Sequence, residues 1–138
     1  MNNVTADVVE IASSSGDVKL SDGKIDNFQI GTSSGYVTWK NTESEHISIT
    51  AKSGEVNVSG LGEQTNAEVS TGSGDIGISY GTQPQNLSFK ISSGSDDVSV
   101  RLDDASYTME TSACKQGKIG AGTYSLTVNS DSGTVVIH

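Results

Sequence analysis

Apolar residues along this 138-residue chain alternate with polar ones in short stretches, and the stretches return at a nearly constant interval. A Ser-Gly pair opens them at Ser15-Gly16-Asp17-Val18-Lys19-Leu20, Ser34-Gly35-Tyr36-Val37-Thr38-Trp39, Ser53-Gly54-Glu55-Val56-Asn57-Val58 and Ser73-Gly74-Asp75-Ile76-Gly77-Ile78, and recurs at Ser93-Gly94 and Ser132-Gly133. The glycines step by 19, 19, 20 and 20 residues and then by 39, which is two periods. A fixed period of this length is the mark of a stacked repeat, and it changes how every other signal is read.

Counted forward from each glycine slot, positions two and four are apolar: Val18 and Leu20, Val37 and Trp39, Val56 and Val58, Ile76 and Ile78, Val135 and Ile137. Counted backward, positions five and seven are apolar as well: Ile11 and Val9, Ile30 and Phe28, Ile49 and Ile47, Val69 and Ala67, Phe89 and Leu87, Val128 and Leu126. Alternation with period two predicts strands with one buried face. Each period therefore holds two strands joined at a Ser-Gly corner, and these side chains form the predicted core.

An antiparallel sandwich also has short strands at regular spacing, but it gives no reason for the same residue type to return at the same offset on every circuit. Stacking does, because equivalent positions then lie above one another at the strand spacing of ~4.8 Å. The expected fold is all-β: one parallel β-solenoid (β-helix) domain over residues 1–138, of about seven coils, wound right-handed by the general bias of parallel crossovers.

Gly16, Gly35, Gly54, Gly74, Gly94 and Gly133 are its predicted corners, where a positive φ or a close approach between coils would oppose a Cβ. The long gap hides a coil whose corner is placed at Cys114, with Tyr107 and Met109 pointing inward and Ile119 one residue late. In the fifth coil, Ser95-Asp96-Asp97 delays the apolar pair to Val98 and Val100, as an inserted bulge would. No capping segment is evident at either end, which implies a piece of a longer protein or end-to-end self-association.

The formal charge of −9 and pI near 4.4 repel phosphate backbones and anionic lipid, so nucleic acid is not an expected partner. No stretch approaches the ~18 apolar residues of a membrane span. The single cysteine, Cys114, cannot close an internal disulfide and reads as a small buried thiol.

Candidate chemistry is sparse. Asp96-Asp97 and Asp103-Asp104 have the oxygen ligands calcium prefers, yet solvated turns explain them more simply. Asp17, Glu55 and Asp75 could form a partial acidic ladder beside the corners, read as a solubility device. His46 and His138 lack spaced partners, and Trp39, a sugar-stacking candidate with Tyr36, falls in an inward column. No catalytic, cofactor-binding or metal-ligating residue is assigned.

The repeated Ser-Gly-Asp-Val-x-Leu, Ser-Gly-Glu-Val-x-Val and Ser-Gly-Asp-Ile-x-Ile units resemble a bacterial adhesin-like β-solenoid family of unknown function, which includes surface domains of Gram-positive Lia-type envelope-stress proteins. The resemblance implies a protein that is extracellular or in the cell envelope, with no catalytic residues to carry over. The expected role is a non-enzymatic binding or adhesin-like module for a cell-wall glycan, a cationic peptide or another protein. A structural spacer and a carbohydrate-active enzyme are the alternatives.

Overall fold

The structure, a computed structural model, describes residues 5–41, 43–61, 65–80, 86–95, 97–101, 106–111 and 113–137. They form β1 (Thr5–Ser13), β2 (Val18–Ser21), β3 (Lys24–Thr32), β4 (Val37–Lys40), β5 (His46–Ser53), β6 (Val56–Leu61) and β7 (Asn66–Ser73). They continue with β8 (Ile76–Tyr80), β9 (Leu87–Ser93), β10 (Val98–Val100), β11 (Ser106–Glu110), β12 (Cys114–Ile119), β13 (Tyr124–Ser132) and β14 (Val135–Ile137). The odd-numbered strands and β12 build a large sheet in the order β1-β3-β5-β7-β13-β9-β12-β11, and a small sheet faces it in the order β10-β14-β8-β6-β4-β2. The fold is a parallel β-solenoid.

Stacking is in register. Ile30 pairs with Ile49, Ile49 with Val69 and Val69 with Val128 along the large sheet, and Val18, Val37, Val56, Ile76, Val135 and Val98 follow one another in the small one. Each inward side chain lies on its counterpart above and below, so the core is continuous. Every one of these residues is buried, as are Phe28, Trp39, Ile47, Val58, Ile78, Leu87, Phe89, Leu126 and Ile137. Phe28 and Trp39 meet edge to face at 4.4 Å, a contact favoured by the aromatic quadrupole. Ile11, expected in the core, is only half-buried, because β1 is the edge strand and has a neighbour on one side alone.

The corners show why glycine recurs. Gly16, Gly35, Gly54, Gly74 and Gly133 all have φ between 112° and 130°. A Cβ built on Gly54 would land on the carbonyl oxygen of Gly35, and one on Gly35 on that of Gly16, whereas one on Gly16 would meet nothing within 4 Å. Just before the corner, inward Thr32, Thr71 and Ser130 are buried yet satisfied: Thr32 Oγ1 donates to Ser34 O (3.0 Å), Ser130 Oγ to Ser132 O (2.9 Å) and Thr71 Oγ1 to Ser130 Oγ (3.2 Å). The small residues at this offset thus seal the narrow end of the interior.

The third side of the coil has its own inward column of Ile25, Ser44 and Thr65, all buried. Thr65 Oγ1 donates to Ser44 O at 2.7 Å, and Ser44 Oγ to His46 O at 2.9 Å. Asp22, Asn41 and Gly60 turn the chain here with φ of 54°, 49° and 71°, a conformation that Asp, Asn and Gly tolerate best.

Chain order and spatial order part company after β8. β13 pairs in parallel with both β7 and β9, and β14 with both β8 and β10. The C-terminal coil is therefore inserted between the fourth and fifth coils. The expected sixth coil around Tyr107, Met109 and Cys114 is instead a hairpin: β12 runs antiparallel to β9, and β11 antiparallel to β12. Tyr107 and Met109 are exposed at 36% and 49%, because among the described residues the small sheet ends at β10 and puts no strand opposite β11. Tyr107 still meets Phe89 edge to face at 5.6 Å. Cys114 opens β12 opposite Ser92 and is partly exposed, not a corner or a buried thiol.

Pairing also corrects the fifth coil. Ser93 lies beside Ser130, so Gly94 falls beside Asp131, whose carbonyl oxygen a Cβ on Gly94 would strike; Gly94 is not among the positive-φ glycines. The slot level with Gly133 is position 96, outside the described residues. No residue is inserted: the corner is displaced by two, which sets Phe89 beside Leu126, Ile91 beside Val128 and Val98 beside Val135. Ser95 takes up the exposed backbone, its hydroxyl donating to Gly133 O (2.7 Å) and accepting from Gly133 N–H (3.1 Å).

Two substitutions test this packing. Ile49→Asp puts a carboxylate in the middle of the stack and is expected to cost several (about 3–5) kcal/mol, unfolding the domain in a thermal or urea melt. Gly16→Ala is expected to cost about 1 kcal/mol for its positive φ alone, while Gly54→Ala, which must also displace a backbone carbonyl, costs at least about 2 kcal/mol more by the same melts.

Candidate functional site

The acidic side chains beside the corners are spent on structure. Asp17 Oδ1 accepts from Tyr36 N–H at 3.2 Å and Asp75 Oδ1 from Thr134 N–H at 2.9 Å, each one coil along the stack. Glu55 Oε1 accepts from the Asn57 amide at 3.1 Å. The acidic ladder thus satisfies corner backbone and a neighbouring amide. Trp39 is fully buried and Tyr36 is 53% exposed, so the two form no shared platform. Asp96, Asp103 and Asp104 lie outside the described residues, as does His138. Among the described residues no group of three His, Cys, Asp or Glu side chains converges as metal ligands do, and no helix is long and apolar enough to cross a membrane.

Tyr80 is the described group with a strongly displaced ionisation: burial pushes its phenol well above its ordinary value, and its hydroxyl has no hydrogen-bond partner among the described residues. A neutral phenol with no base beside it is a poor nucleophile or proton carrier.

What remains is a groove of about 600 Å³ across the outer face of the large sheet. One wall is the row Val8, Asn27, His46, Asn66 and Ser125; the other is Gln29, Ser48, Glu68 and Thr127. Between them, the backbone of Val9, Phe28, Ile47 and Ala67 forms the floor. The pleat dictates this shape: residues two apart on a strand project outward while the one between turns in. In-register pairing then lines equal offsets into walls, since Asn27 pairs with His46, His46 with Asn66, Gln29 with Ser48 and Ser48 with Glu68. From β1 to β13 the trough crosses five strands, roughly 19 Å at the usual spacing.

Apart from Val8 at the β1 end, the walls are amide, hydroxyl and imidazole, with one carboxylate and no Lys or Arg. Asn66 Oδ1 accepts from both Ser125 N–H (2.9 Å) and Ser125 Oγ (3.3 Å), which fixes the amide and turns its NH₂ outward. Beyond β13 the rows become basic: Lys90 lies beside Thr127, and Lys118 beside Ser88. Such a surface can hold a polar ligand by many weak hydrogen bonds; it offers no nucleophile paired with a base. The row through Gln29, Ser48, Glu68 and Thr127 is legible in the sequence as a solvated face, but the companion row through His46 makes the pair a trough, and alternation alone does not separate a trough from a flat face.

The chain belongs to the Toastrack DUF4097 family, whose model matches residues 1–138. The Toastrack domain is a β-solenoid-like family of unknown function. No curated protein and no solved structure matches the chain.

Tyr80 yields a pH prediction. Its folded ionisation lies above the unfolded value, so its contribution is complete below about pH 10 and is lost as pH rises further, when the unfolded chain releases a proton the folded one retains. Tyr80→Phe is expected to match or exceed the parent at pH 7, by up to about 2 kcal/mol for removing an unsatisfied hydroxyl. The variant should also lose less stability above pH 10 in urea melts.

Proposed function

We propose that this Toastrack domain is a non-enzymatic binding module of the bacterial cell envelope, adhesin-like in action, and that its groove takes a polyhydroxylated cell-wall glycan. The observation that carries the reading is the pair of polar rows in register across the four strands β3, β5, β7 and β13. A glycan chain presents hydroxyls along its length, and side-chain amides and hydroxyls at repeated spacing match them as donors and acceptors. One of the thirteen lining residues is charged, against 25 of 138 in the chain, so hydrogen-bonding groups outnumber charges in the trough. This favours a neutral polar ligand over a cationic peptide. The resemblance of the Ser-Gly-Asp-Val repeats to Lia-type surface domains supports an extracellular or envelope location.

Calorimetry of the chain against purified cell-wall polysaccharide is expected to show binding. Gln29→Ala with Ser48→Lys should weaken it by roughly tenfold or more while melting stays within a few degrees, because both side chains face outward. Binding that survives the double variant, or is lost only on Glu68→Gln and prefers cationic peptide, would refute the glycan reading.

A further inference from the structure

The two outward rows that wall the groove continue past its end at β13. The row of His46, Asn66 and Ser125 passes to Ser88 on β9 and Lys118 on β12, and the row of Ser48, Glu68 and Thr127 passes to Lys90 and Gln116. All four added side chains are exposed. Ser88 and Lys90 flank the inward Phe89, and Gln116 and Lys118 flank Gly117, which pairs with Phe89, so one outer face carries them all. Each lysine sits opposite a neutral residue, and the two lysines lie on a diagonal, a separation of roughly 7–8 Å that long side chains span. The turn after β12 stands beside the same pair of strands: a Cβ built on Gly122 would lie 3.5 Å from Ser88 Cβ and 3.6 Å from Lys118 Cβ, which bounds the Lys118 stem.

Neither ammonium group has an ion-pair partner among the described residues, where Lys115 engages Glu110 at 3.3 Å. Lysine commonly guards the edge of a sheet, but β9 and β12 are inner strands of this one. In a chain with 17 acidic and 8 basic residues, these two cations stand together with no described carboxylate to offset their repulsion. Along the rows the next carboxylate is Glu68, two strands from Lys90 and roughly 10 Å away.

We propose that Lys90 and Lys118 form an anionic subsite at the end of the groove, and that the glycan the groove takes carries a uronic-acid carboxylate there. The inference rests on the glycan reading of the groove and names the chemical class of that glycan. A carboxylate between the two ammonium groups accepts a charge-assisted hydrogen bond from each, and Ser88 and Gln116 offer a hydroxyl and an amide to the hydroxyls of the same sugar ring. Glu68 restricts the charge pattern of the polymer. A chain acidic at every unit, such as a polyuronate or a polyol phosphate, would bring a second anion beside that carboxylate. A chain acidic on alternate sugars leaves a neutral ring in the trough and puts its charge on the lysines.

The test is calorimetry against hyaluronan oligosaccharides, which alternate glucuronic acid with N-acetylglucosamine, and against the same oligosaccharides with their carboxyl groups reduced to alcohols. The acidic form is expected to bind roughly tenfold or more tighter at low salt, with the advantage shrinking as salt is raised. Lys90→Gln with Lys118→Gln should abolish that advantage, leave the affinity of the reduced form unchanged and keep the melt within a few degrees, because both side chains are exposed. Lys52→Gln, at an exposed position on β5 outside both rows, should leave the advantage intact. Equal affinity for the two forms, tighter binding of polygalacturonate or poly(glycerol phosphate), or an advantage lost as fully on Lys52→Gln as on the double variant would each overturn the subsite. Binding of neither form would overturn it too, and the groove reading would then stand or fall on cell-wall polysaccharide alone.

Discussion

In-register parallel stacking is the constraint from which the rest follows. Once Ile30, Ile49, Val69 and Val128 lie over one another, every other offset is aligned as well. Inward columns become a continuous core, outward ones become rows, and the corner must repeat its backbone. Burial of an apolar side chain contributes about 1.5–3 kcal/mol, and here each coil gains it only because its neighbours cover it. The glycine column belongs to the same constraint, since coils this close leave no room for a Cβ where one corner's carbonyl points at the next.

The inserted C-terminal coil is the second organising feature. It is bonded on both sides by side chains as well as by the ladder: Asn66 holds Ser125, Asp75 holds Thr134, Ser95 holds Gly133, and Ser92 donates to Asn129. Without β13 and β14, the fifth coil has no strand joining it to the fourth. The groove depends on this arrangement too, because Ser125 and Thr127 complete its walls at β13. A segment distant in sequence thus finishes both the interior and the outer face.

Much of the fold was legible because burial and backbone strain write themselves into residue type. The alternation around Val18, Val37, Val56 and Ile76, and the glycines at 16, 35, 54 and 74, mark strands and corners directly. Spatial order was not legible: Val135 fits the slot beside Ile76 as well as it would fit a place at the far end, since every coil carries the same pattern. The shared pattern also concealed the hairpin, where Tyr107 keeps the inward face against Phe89 but no described strand of the small sheet covers it. Gly94 misled for a local reason, a Ser-Gly pair lying two residues before its true slot. In the groove, polar rows read as solvent-facing because periodicity reports which side a residue is on and not the contour of that side.

The insertion also sets a schedule during synthesis. The first four coils can stack as each leaves the ribosome, since every neighbour precedes the next in the chain. β9 to β12 emerge afterwards, yet the place beside β7 and β8 belongs to residues not yet translated. This block must wait, or occupy that place provisionally and yield it, until the last coil arrives.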